Sequence, residues 1–483
     1  MVAAVTHSDV LGLKRPAGEL DVSRALMPYR GSWSRREAAH LLRRAGFGGT
    51  PGEIARLAAM PFGRAVESVV RFPSTEDLPA PADIYDSRQD VLGLGPGGLR
   101  ALDPSERRAF FANVRKREVR SMLALRSWWL DRMRKTPAAL QEKMTLFFHG
   151  HFTTAAIQKG VTPAMAYEQN RLFRSYALGN LRELTRRVSV DPAMLIYLDN
   201  ARNEKRHPNE NYAREMMELF TLGVDQYTEE DVRQAARAWT GWTYNRRLGR
   251  AVFVPGRHDD GVKTFLGQTG KFNGDDVVDI VFSRPQCARF IATGLLNFFL
   301  YNDPEPQLVE AFAAEIRRHD YDLAPAMATL FASDVFFSGR AYRALVKSPV
   351  EFVVGTYRVL GIDRIGVPAQ RALAQMGQIL FAPPNVAGWP GGENWLTSDT
   401  LIARENFVAR LVQSEALRPS SWIGEVPMNA TQAARTLIAT ILTGDASPAA
   451  ASQLGDYLDG AGSEERVRGG AYLTMAMPAY QLA

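Results

Sequence analysis

Cysteine and histidine are scarce in this sequence of 483 residues, which holds one cysteine and seven histidines. The single cysteine, Cys287, excludes an intramolecular disulfide and any zinc site that is built from cysteines. Its neighbours Pro285, Ala288, Phe290 and Ile291 predict a buried structural thiol.

Long apolar runs are also missing. No stretch reaches the roughly 18 consecutive apolar residues that suggest a membrane-spanning helix. Residues 1–28 lack the basic start and the apolar run of a signal peptide. We therefore predict no membrane span and a cytoplasmic location.

The sequence has little excess charge of either sign. It carries 58 basic and 52 acidic residues, a net charge of +6, which permits contact with an acidic polymer but does not predict it. The one strong basic cluster, at 114–135, has no aromatic-rich nucleic-acid signature and no zinc spacing beside it. We predict a solvent-facing or partner-facing helix there, and no nucleic-acid partner.

Three motifs that mark large enzyme classes are absent. The sequence has no Gly-x-Ser-x-Gly, no glycine-rich phosphate-binding loop and no dinucleotide fingerprint. Enzyme classes that rely on those motifs are therefore disfavoured.

Helix-start signals follow one another along the whole chain. They predict, among others, a long helix from the cap Asp103 to about 134 and helices near 162–188, 338–345 and 370–381. Residues 258–267 predict a polar loop. Hydrophobic residues make up 46% and charged residues 23% of the sequence, which is ordinary globular usage. No β-α-β alternation emerges, so we predict an all-α, multi-helix globular body. Alternating residues with Gly249 between them predict one β-hairpin at 243–256. We divide the chain into a lead-in at 1–32, a main helical domain at 33–427 and a small C-terminal helical unit at 428–483 packed on the main body.

The segment at 209–220 has two chemically distinct sides if it is helical. At about 100° per residue, its apolar side chains share one broad face. The remaining arc, which we call the polar stripe, holds Glu210, Asn211, Arg214, Glu215 and Glu218. The stripe is either a solvated face with weak ion pairs or the wall of a cleft whose carboxylates act as acid and base.

The histidines His149 and His151 stand on either side of Gly150, next to a predicted helix end. In an extended segment this spacing places both rings on one side, which suits metal ligation. The other interpretation is one capping histidine and one that packs against aromatic residues. A metal would need a further ligand, for which His258, Asp199, Glu215 and Glu218 are the candidates.

The stretch at 383–395 contains two tryptophans, prolines and glycines, so it cannot be helical. Trp389 and Trp395 either stack on sugar rings or pin a long loop to the helices.

Taken together, these motifs resemble the bacterial domain-of-unknown-function family DUF1800 over roughly residues 34–415. The resemblance is carried by H-L-L-R-R-A-G-F-G at 40–48, F-H-G-H-F at 148–152, Y-L-D-N at 197–200, the segment 209–223 with Y-T-E at 227–229 and D-V at 231–232, T-G-W at 240–242, H-D at 258–259 with Lys263 and L-G at 266–267, K-S-P at 347–349, and P-P-N-V at 383–386 with G-W-P-G-G at 388–392 and Trp395. Gly150 departs from the asparagine that the family pattern leads us to expect.

The resemblance implies no established activity. It implies that related proteins are often exported, and that their genes adjoin those of a sulfatase-like family, which points to exported polymers or their processing. It also marks the polar motif residues as the first positions to test.

We expect a central cleft lined by 149–151, 199–218, 258–263 and 383–395. The leading hypothesis is a hydrolase or lyase that acts on a polymeric, carbohydrate substrate by carboxylate acid/base catalysis. Its expected catalytic residues are Glu215 as the acid/base, Asp199 or Glu210 as its partner, and His149 and His258 as charge-binding groups. The expected substrate-binding residues are Asn209, Arg214, Glu218, Trp242, Lys263, Asn385, Trp389, Trp395 and Arg404.

Two alternatives stay open. One is a non-enzymatic docking protein for the product of the adjacent sulfatase-like gene. The other is a metal-dependent enzyme that uses His149 and His151; otherwise we predict no cofactor.

Overall fold

Helices follow one another from Arg35 to the end of the chain, as the cap signals predict. The computed structural model describes residues 24–72, 81, 84–95, 97–423 and 429–483. The helices of its first part are α1 Arg35–Arg44, α2 Pro51–Ala58, α3 Phe62–Val70, α4 Ser87–Gly93, α5 Pro104–Lys135, α6 Ala139–His151, α7 Pro163–Ser175, α8 Leu181–Ser189, α9 Pro192–Tyr197, α10 Asn211–Glu215 and α11 Glu229–Ala238.

The later helices are α12 Gly274–Phe282, α13 Pro285–Phe299, α14 Pro306–Arg318, α15 Leu323–Phe331, α16 Pro349–Val359, α17 Val367–Gln375, α18 Ser398–Val412, α19 Pro419–Ile423, α20 Ala430–Leu437, α21 Pro448–Asp459, α22 Ser463–Ala476 and α23 Pro478–Gln481. The all-α prediction is confirmed. Capping boxes close the starts of α1, α2 and α5 through Ser34, Thr50 and Asp103, which satisfy backbone N–H groups that the first turn leaves free.

Some predicted helices are shorter than expected. The expected helix at 162–188 is two helices, α7 and α8, and 338–345 forms turns. The helix expected at 370–381 is α17, which ends at Gln375. Gly377 follows in the left-handed region with φ +89°, and the backbone N–H of Gln378 closes back to Leu373 at 2.9 Å. This is a glycine-type helix end, which the sequence-based boundary overran.

Two short hairpins interrupt the helices. Strands β1 Trp242–Asn245 and β2 Arg250–Phe253 pair antiparallel, with Gly249 at φ +68° in the connection, so the predicted hairpin is confirmed. Strands β3 Lys263–Phe265 and β4 Gln268–Gly270 form a second hairpin where we expected a polar loop. Its two-residue turn has positive φ at both positions, a type I′ geometry that is usually signalled by Asn-Gly and is formed here by Leu-Gly.

The buried side chains form two hydrophobic cores. Helices α1–α3 and α6–α15 enclose the first, and α5, α16–α18 and α20–α23 enclose the second. Helices α6 and α7 supply residues to both, so they join the two cores. The C-terminal helices thus share a core with α16–α18.

The residues before α1 are attached to the main body where the structure describes them. Ala25 is buried, and the backbone of Ala25, Met27 and Tyr29 bonds to the backbone at 332–335. Residues 1–23 of the predicted lead-in lie outside the described residues. Within the described part of the chain, no helix is both long and apolar enough to cross a membrane.

A buried ion cluster fixes the junction of α5, α6 and α7. The Glu142 carboxylate is fully buried and accepts hydrogen bonds from Arg132, from Arg174 at 2.7 and 2.9 Å, and from the Trp129 indole N–H at 2.8 Å. Two guanidinium groups and one indole thus satisfy both carboxylate oxygens. This junction sets the position of the loop that follows α6.

Cys287 is fully buried in α13, and burial raises the pKa of its thiol to about 12. Both observations agree with the predicted structural thiol.

Candidate functional site

The segment that carries the polar stripe is a short α-helix that continues as a π-helix. Helix α10 ends at Glu215, and Met216–Thr221 forms the π-helix. The backbone N–H of Leu222 bonds to Met217, five residues earlier, at 2.8 Å, and the Thr221 hydroxyl donates to the Met216 carbonyl at 2.6 Å. We expected a regular α-helix across 209–220, so the widened turn is a correction. Such π turns occur often at functional sites.

The apolar face of this segment forms part of the first core, as predicted. Tyr212, Met216, Met217 and Phe220 are at most 1% exposed. Their burial fixes the segment, so the polar stripe on the other side has a defined direction. Glu215 and Glu218 are both partly buried.

Glu215 lies in the middle of the polar stripe and is partly buried. Burial and the neighbouring Glu218 carboxylate raise its pKa, and the Arg214 guanidinium opposes the rise. The Tyr227 hydroxyl donates a hydrogen bond to Glu218 at 2.9 Å. In this pair, Glu218 accepts a hydrogen bond from a phenol, and Glu215 is the carboxyl group whose pKa is raised.

Arg214 and Glu210 belong to a surface ion cluster. Arg214 donates to both Glu229 oxygens at 2.7 Å and lies 3.4 Å from Glu210. The Glu229 bonds raise the pKa of Arg214. Asn209 caps the segment, since its side-chain oxygen accepts the Asn211 N–H at 3.0 Å while its own N–H bonds to Asn203. These contacts favour a positioning role for Arg214 and Asn209.

Asp199 lies at the end of α9, near Lys159 and Tyr197. The Lys159 ammonium is 3.8 Å from the Asp199 carboxylate and donates to the Tyr197 carbonyl at 2.9 Å. Its charge also lies 5.2 Å from the centre of the Tyr197 ring. Burial and the Glu215 charge raise the pKa of the Tyr197 phenol. Tyr197 thus lies between the Asp199–Lys159 pair and Glu215.

Several residues in the same region have left-handed backbone conformations. Ile157, Lys159, Asp199 and Phe381 have φ values of 60°, 50°, 58° and 62°, in the left-handed region. A β-branched residue such as Ile157 is rare there, and each such residue costs roughly 1–2 kcal/mol. The backbone N–H of Ala156 bonds to Phe381 at 2.9 Å, which connects the strained loop to the 381 turn. Strain of this kind collects at functional sites.

A cleft of about 690 Å³ opens beside Asp199. Its walls are α4 with the first half of α5, the strained 159–162 loop with the end of α9, and strand β1. Among the expected site residues, Asp199 lines this cleft. The other lining residues that bear charge or a ring are Arg88, Phe110, Phe111, Arg115, Glu118, Lys159, Arg202, Tyr244 and Arg246. Its volume suits a small ligand or a few units of a polymer.

The two histidines near the end of α6 have backbone partners. The Phe381 N–H donates to His149 Nε2 at 2.9 Å, and His151 Nε2 donates to the Phe220 carbonyl at 2.9 Å. Burial lowers the pKa of His149 to about 3 and that of His151 to about 4. Both residues lie in the last helical turn rather than in an extended segment. At about 100° per residue they point in widely different directions.

This geometry does not fit the metal ligation that we considered. The Nε2 lone pair of His149 is already used, and the described residues contain no group of three or more His, Cys, Asp or Glu side chains placed to hold a metal ion. The aromatic rings of Trp129, Phe381 and Trp389 surround His149. The packing interpretation of these histidines therefore fits the structure better.

His258 and Lys263 hold the loop that leads into the second hairpin. His258 Nδ1 donates to the Thr240 carbonyl at 2.8 Å, and the ring contacts Phe253. Lys263 is 1% exposed and donates to the carbonyls of Asp259 and Gly261 at 2.6 and 3.0 Å. An ammonium enclosed in this way leaves no surface for the substrate contact that we expected of Lys263.

Trp242 starts β1 and packs its ring against Phe253 at 5.4 Å. Trp395 is 7% exposed, and Trp389 lies 5.5 Å from the His149 ring. These contacts favour the interpretation in which the tryptophans of 383–395 pin the loop. Asn385 is exposed and accepts the Ala387 N–H at 2.9 Å, which shapes the turn.

Arg404, expected to bind substrate, is fully buried. It donates to the Lys347 carbonyl at 2.7 Å and to Gln481 at 3.2 Å, and burial lowers its pKa to about 10. Arg404 thus links α18 to the C-terminal turn. Residues 383–395 and 258–263 do not line the cleft beside Asp199, contrary to our expectation.

Sequence reasoning missed Lys159, Tyr197, Tyr227 and the arginines of the cleft. Tyr197 lies in the Y-L-D-N motif at 197–200, close to Asp199, and this proximity was the available signal. Lys159 precedes Gly160 in a loop whose backbone conformation no sequence pattern indicated.

A family model described as "Protein of unknown function (DUF1800)" matches residues 40–482. Searches of curated proteins and of solved structures found no match.

Proposed function

The chain belongs to the DUF1800 family, and from its own geometry we propose that it is a hydrolase or lyase acting on a polymeric carbohydrate. Glu215 is the general acid/base in this proposal, and Asp199 is its carboxylate partner at the cleft. The observation that carries the proposal is the raised pKa of the partly buried Glu215 beside Glu218.

A carboxylic acid serves as a proton donor near neutral pH when its surroundings raise its pKa. Burial and the like charge of Glu218 both act in that direction on Glu215. The Tyr227 hydroxyl donates to Glu218 at 2.9 Å, and the Glu218 charge in turn favours a proton on Glu215. A carboxyl group that holds its proton in this way is suited to the role of general acid.

Asp199 supplies the second carboxylate from a separate element. Its side chain is 31% exposed and pairs with Lys159 at 3.8 Å, so a substrate in the cleft can reach it. In glycoside cleavage, one carboxylic acid protonates the leaving oxygen while a second carboxylate activates water or attacks the sugar. Glu215 and Asp199 take these two roles in the proposal, with Tyr197 between them.

The test is cleavage of a panel of polysaccharides, followed as release of new reducing ends or of unsaturated ends. We expect Glu215→Gln and Asp199→Asn to lower turnover by about 100-fold or more. Asn tolerates the left-handed backbone of position 199, so that variant keeps the local fold. Glu230→Gln is the matched control, since Glu230 is exposed on α11 and bonds to Arg233 and Gln234.

Thermal unfolding of each variant shows whether the fold is intact. Full turnover by a folded Glu215→Gln protein would remove Glu215 from the mechanism. Full turnover by Asp199→Asn would remove only its partner.

A second candidate is a docking protein without catalysis, and one observation favours it. Val91, Leu92 and Phe111 line the cleft and are 38%, 43% and 48% exposed. Apolar side chains gathered in this way mark binding surfaces for proteins as well as for ligands. A stoichiometric complex that Phe111→Ser disrupts, together with no turnover on any polysaccharide, would support this candidate.

A further inference from the structure

The charge of the 690 Å³ cleft is unbalanced. Its lining carries five basic side chains, Arg88, Arg115, Lys159, Arg202 and Arg246, against the acidic Glu118 and Asp199. The whole chain has a net charge of only +6, so the positive charge is concentrated locally here. Clefts lined by one sign of charge attract ligands of the other sign.

Two of these cations already have carboxylate partners. Arg88 bonds to Asp86, and Lys159 pairs with Asp199 at 3.8 Å. The Arg115 guanidinium donates to the Ile157 carbonyl at 3.2 Å, which anchors it without neutralising its charge. Once these pairs are set aside, the remaining charged residues of the lining are three cations, Arg115, Arg202 and Arg246, and one anion, Glu118.

Arg202 and Arg246 are exposed, and neither has an ion pair within the described ranges of the chain. Arg246 lies near the Tyr244 phenol, whose pKa it lowers against the stronger effect of burial. Both guanidinium groups are therefore available to a ligand. A guanidinium binds sulfate and carboxylate groups with two parallel hydrogen bonds.

The cleft also offers ring faces next to these cations. Phe110 and Phe111 meet edge to face at 5.6 Å, and Phe111 is 48% exposed. Tyr244 is on the opposite wall, in β1. Rings beside separate cations match a chain of sugar rings that carries an anionic group at intervals, because the rings contact the sugar faces and the arginines bind the anions.

We propose that this cleft binds an anionic polysaccharide, with Arg115, Arg202 and Arg246 contacting its sulfate or carboxylate groups. The inference rests on the proposed function for the site but concerns binding rather than cleavage. It names the substrate class as acidic rather than neutral polysaccharide.

The experiment is equilibrium binding of the full chain to three soluble polymers: dextran sulfate, polygalacturonate and neutral dextran. Calorimetry at about 50 mM and about 300 mM NaCl separates charge-dependent binding from the rest. We expect dextran sulfate, polygalacturonate or both to bind, neutral dextran not to bind, and the affinity to fall at the higher salt concentration.

The double variant Arg202→Gln/Arg246→Gln should weaken that binding by about tenfold or more. Its matched control is Arg56→Gln/Arg410→Gln, which removes the same charge from exposed positions outside the cleft lining. If the control loses as much affinity as the cleft variant, net charge alone explains the binding and the proposal is wrong. Tight binding of neutral dextran, or no binding of either anionic polymer, would also overturn it.

A single-stranded oligothymidylate is the fourth probe, because it is a polyanion with aromatic bases but is not a chain of glycosidically linked sugars. Binding as tight as that of the anionic polysaccharides would identify a general polyanion site and overturn the proposal.

Glu215→Gln separates this inference from the proposed function. Anionic polymer binding with unimpaired turnover in Glu215→Gln would leave the inference standing and remove the catalytic assignment. No anionic polymer binding, together with Glu215-dependent cleavage of a neutral polymer, would overturn the inference and leave the catalytic assignment standing.

Discussion

The backbone N–H of Phe381 donates a hydrogen bond to Nε2 of His149, 2.9 Å away, across 232 residues of chain. Phe381 has φ +62°, and its carbonyl accepts the Ala156 N–H at 2.9 Å. One neutral histidine thus fixes the turn that holds the strained loop at 156–161. Protonation of His149 would remove the lone pair that accepts the Phe381 N–H.

This bond predicts that acid destabilises the protein. An ordinary histidine has a pKa of 6.5, and burial followed by the Arg126 charge lowers that of His149 to about 3. Between these values the unfolded chain binds a proton that the folded chain does not, so stability is lost as the pH falls below 6.5. Each such histidine contributes up to about 1.4 kcal/mol per pH unit to the free energy of unfolding.

We expect His149→Gln, which keeps an acceptor for Phe381, to reduce the loss of stability between about pH 6.5 and pH 4. Urea unfolding at several pH values measures the slope. His207→Gln, at an exposed position, is the comparison that isolates the effect of burial. An unchanged slope in His149→Gln would show that the imidazole is not held neutral by the fold.

Asp191 predicts an effect of opposite sign. Its carboxyl caps α9 and accepts from Gln169 at 2.8 Å and Met194 at 3.1 Å. Burial raises its pKa from 3.8 to about 7. The folded chain therefore holds a proton that the unfolded chain releases, so this contribution is present at low pH and is lost as the pH rises from 3.8 toward 7.

Asp191→Asn keeps the cap but removes the titrating carboxyl group. Relative to the parent protein, we expect this variant to gain more stability at pH 8 than at pH 5. The control is Asp103→Asn at the exposed cap of α5. Hydrogen bonds from Glu106 and Ser105 lower the pKa of Asp103, so it remains ionised across this range. If Asp191→Asn shows the same dependence on pH as the parent protein, the carboxyl does not carry the proton.

The Glu142 cluster predicts the largest loss of stability. Glu142→Gln removes the negative charge that Arg132 and Arg174 share in the protein interior. Breaking a buried ion pair by neutralising one partner costs about 3–5 kcal/mol, because the other charges stay buried. Glu168→Gln, whose exposed partner Arg171 lies 3.4 Å away, should cost at most about 1 kcal/mol. A loss below 1 kcal/mol in Glu142→Gln, measured by urea unfolding, would contradict the assignment.

Local chemistry made much of the fold predictable. The cap at Asp103 gave the start of the 32-residue α5 to within a residue, because a side chain that bonds to the first turn is a local signal. Gly249 and the alternation around it likewise predicted the first hairpin. The turn at Leu266 was missed because leucine, unlike Gly267 beside it, rarely adopts the positive φ that this turn requires.

Side-chain chemistry predicted the candidate site less well than the fold. Lys263 and Arg404 are cations that a sequence places on a surface by default, and both are buried. Lys263 donates to carbonyl groups of the loop just before it, and Arg404 donates to the carbonyl of Lys347, 57 residues earlier. Lys159 meets Asp199 only because two loops, 40 residues apart in the chain, adopt left-handed conformations. Long-range contacts of this kind leave no pattern in a single sequence.

The pKa of Glu215 should respond in opposite directions to two substitutions in the polar stripe. Glu218→Gln removes the like charge that raises the pKa, so we expect the pKa to fall. Arg214→Gln removes the guanidinium that lowers it, so we expect the pKa to rise. NMR of side-chain ¹³C-labelled glutamate measures both shifts directly, without any substrate.

Arg233→Gln is the matched control for Arg214→Gln, because Arg233 is an exposed arginine on α11 that pairs with Glu230 at 2.6 Å. It should leave the Glu215 titration in place, since Glu218 and Arg214 are the charges that act on Glu215. Movement of the Glu215 pKa in the same direction in both stripe variants would mean that a change in burial, rather than charge, sets its proton affinity. In that case the charges of the stripe would not explain the raised pKa of Glu215, whereas opposite shifts would support Glu215 as the proton donor of the proposed mechanism.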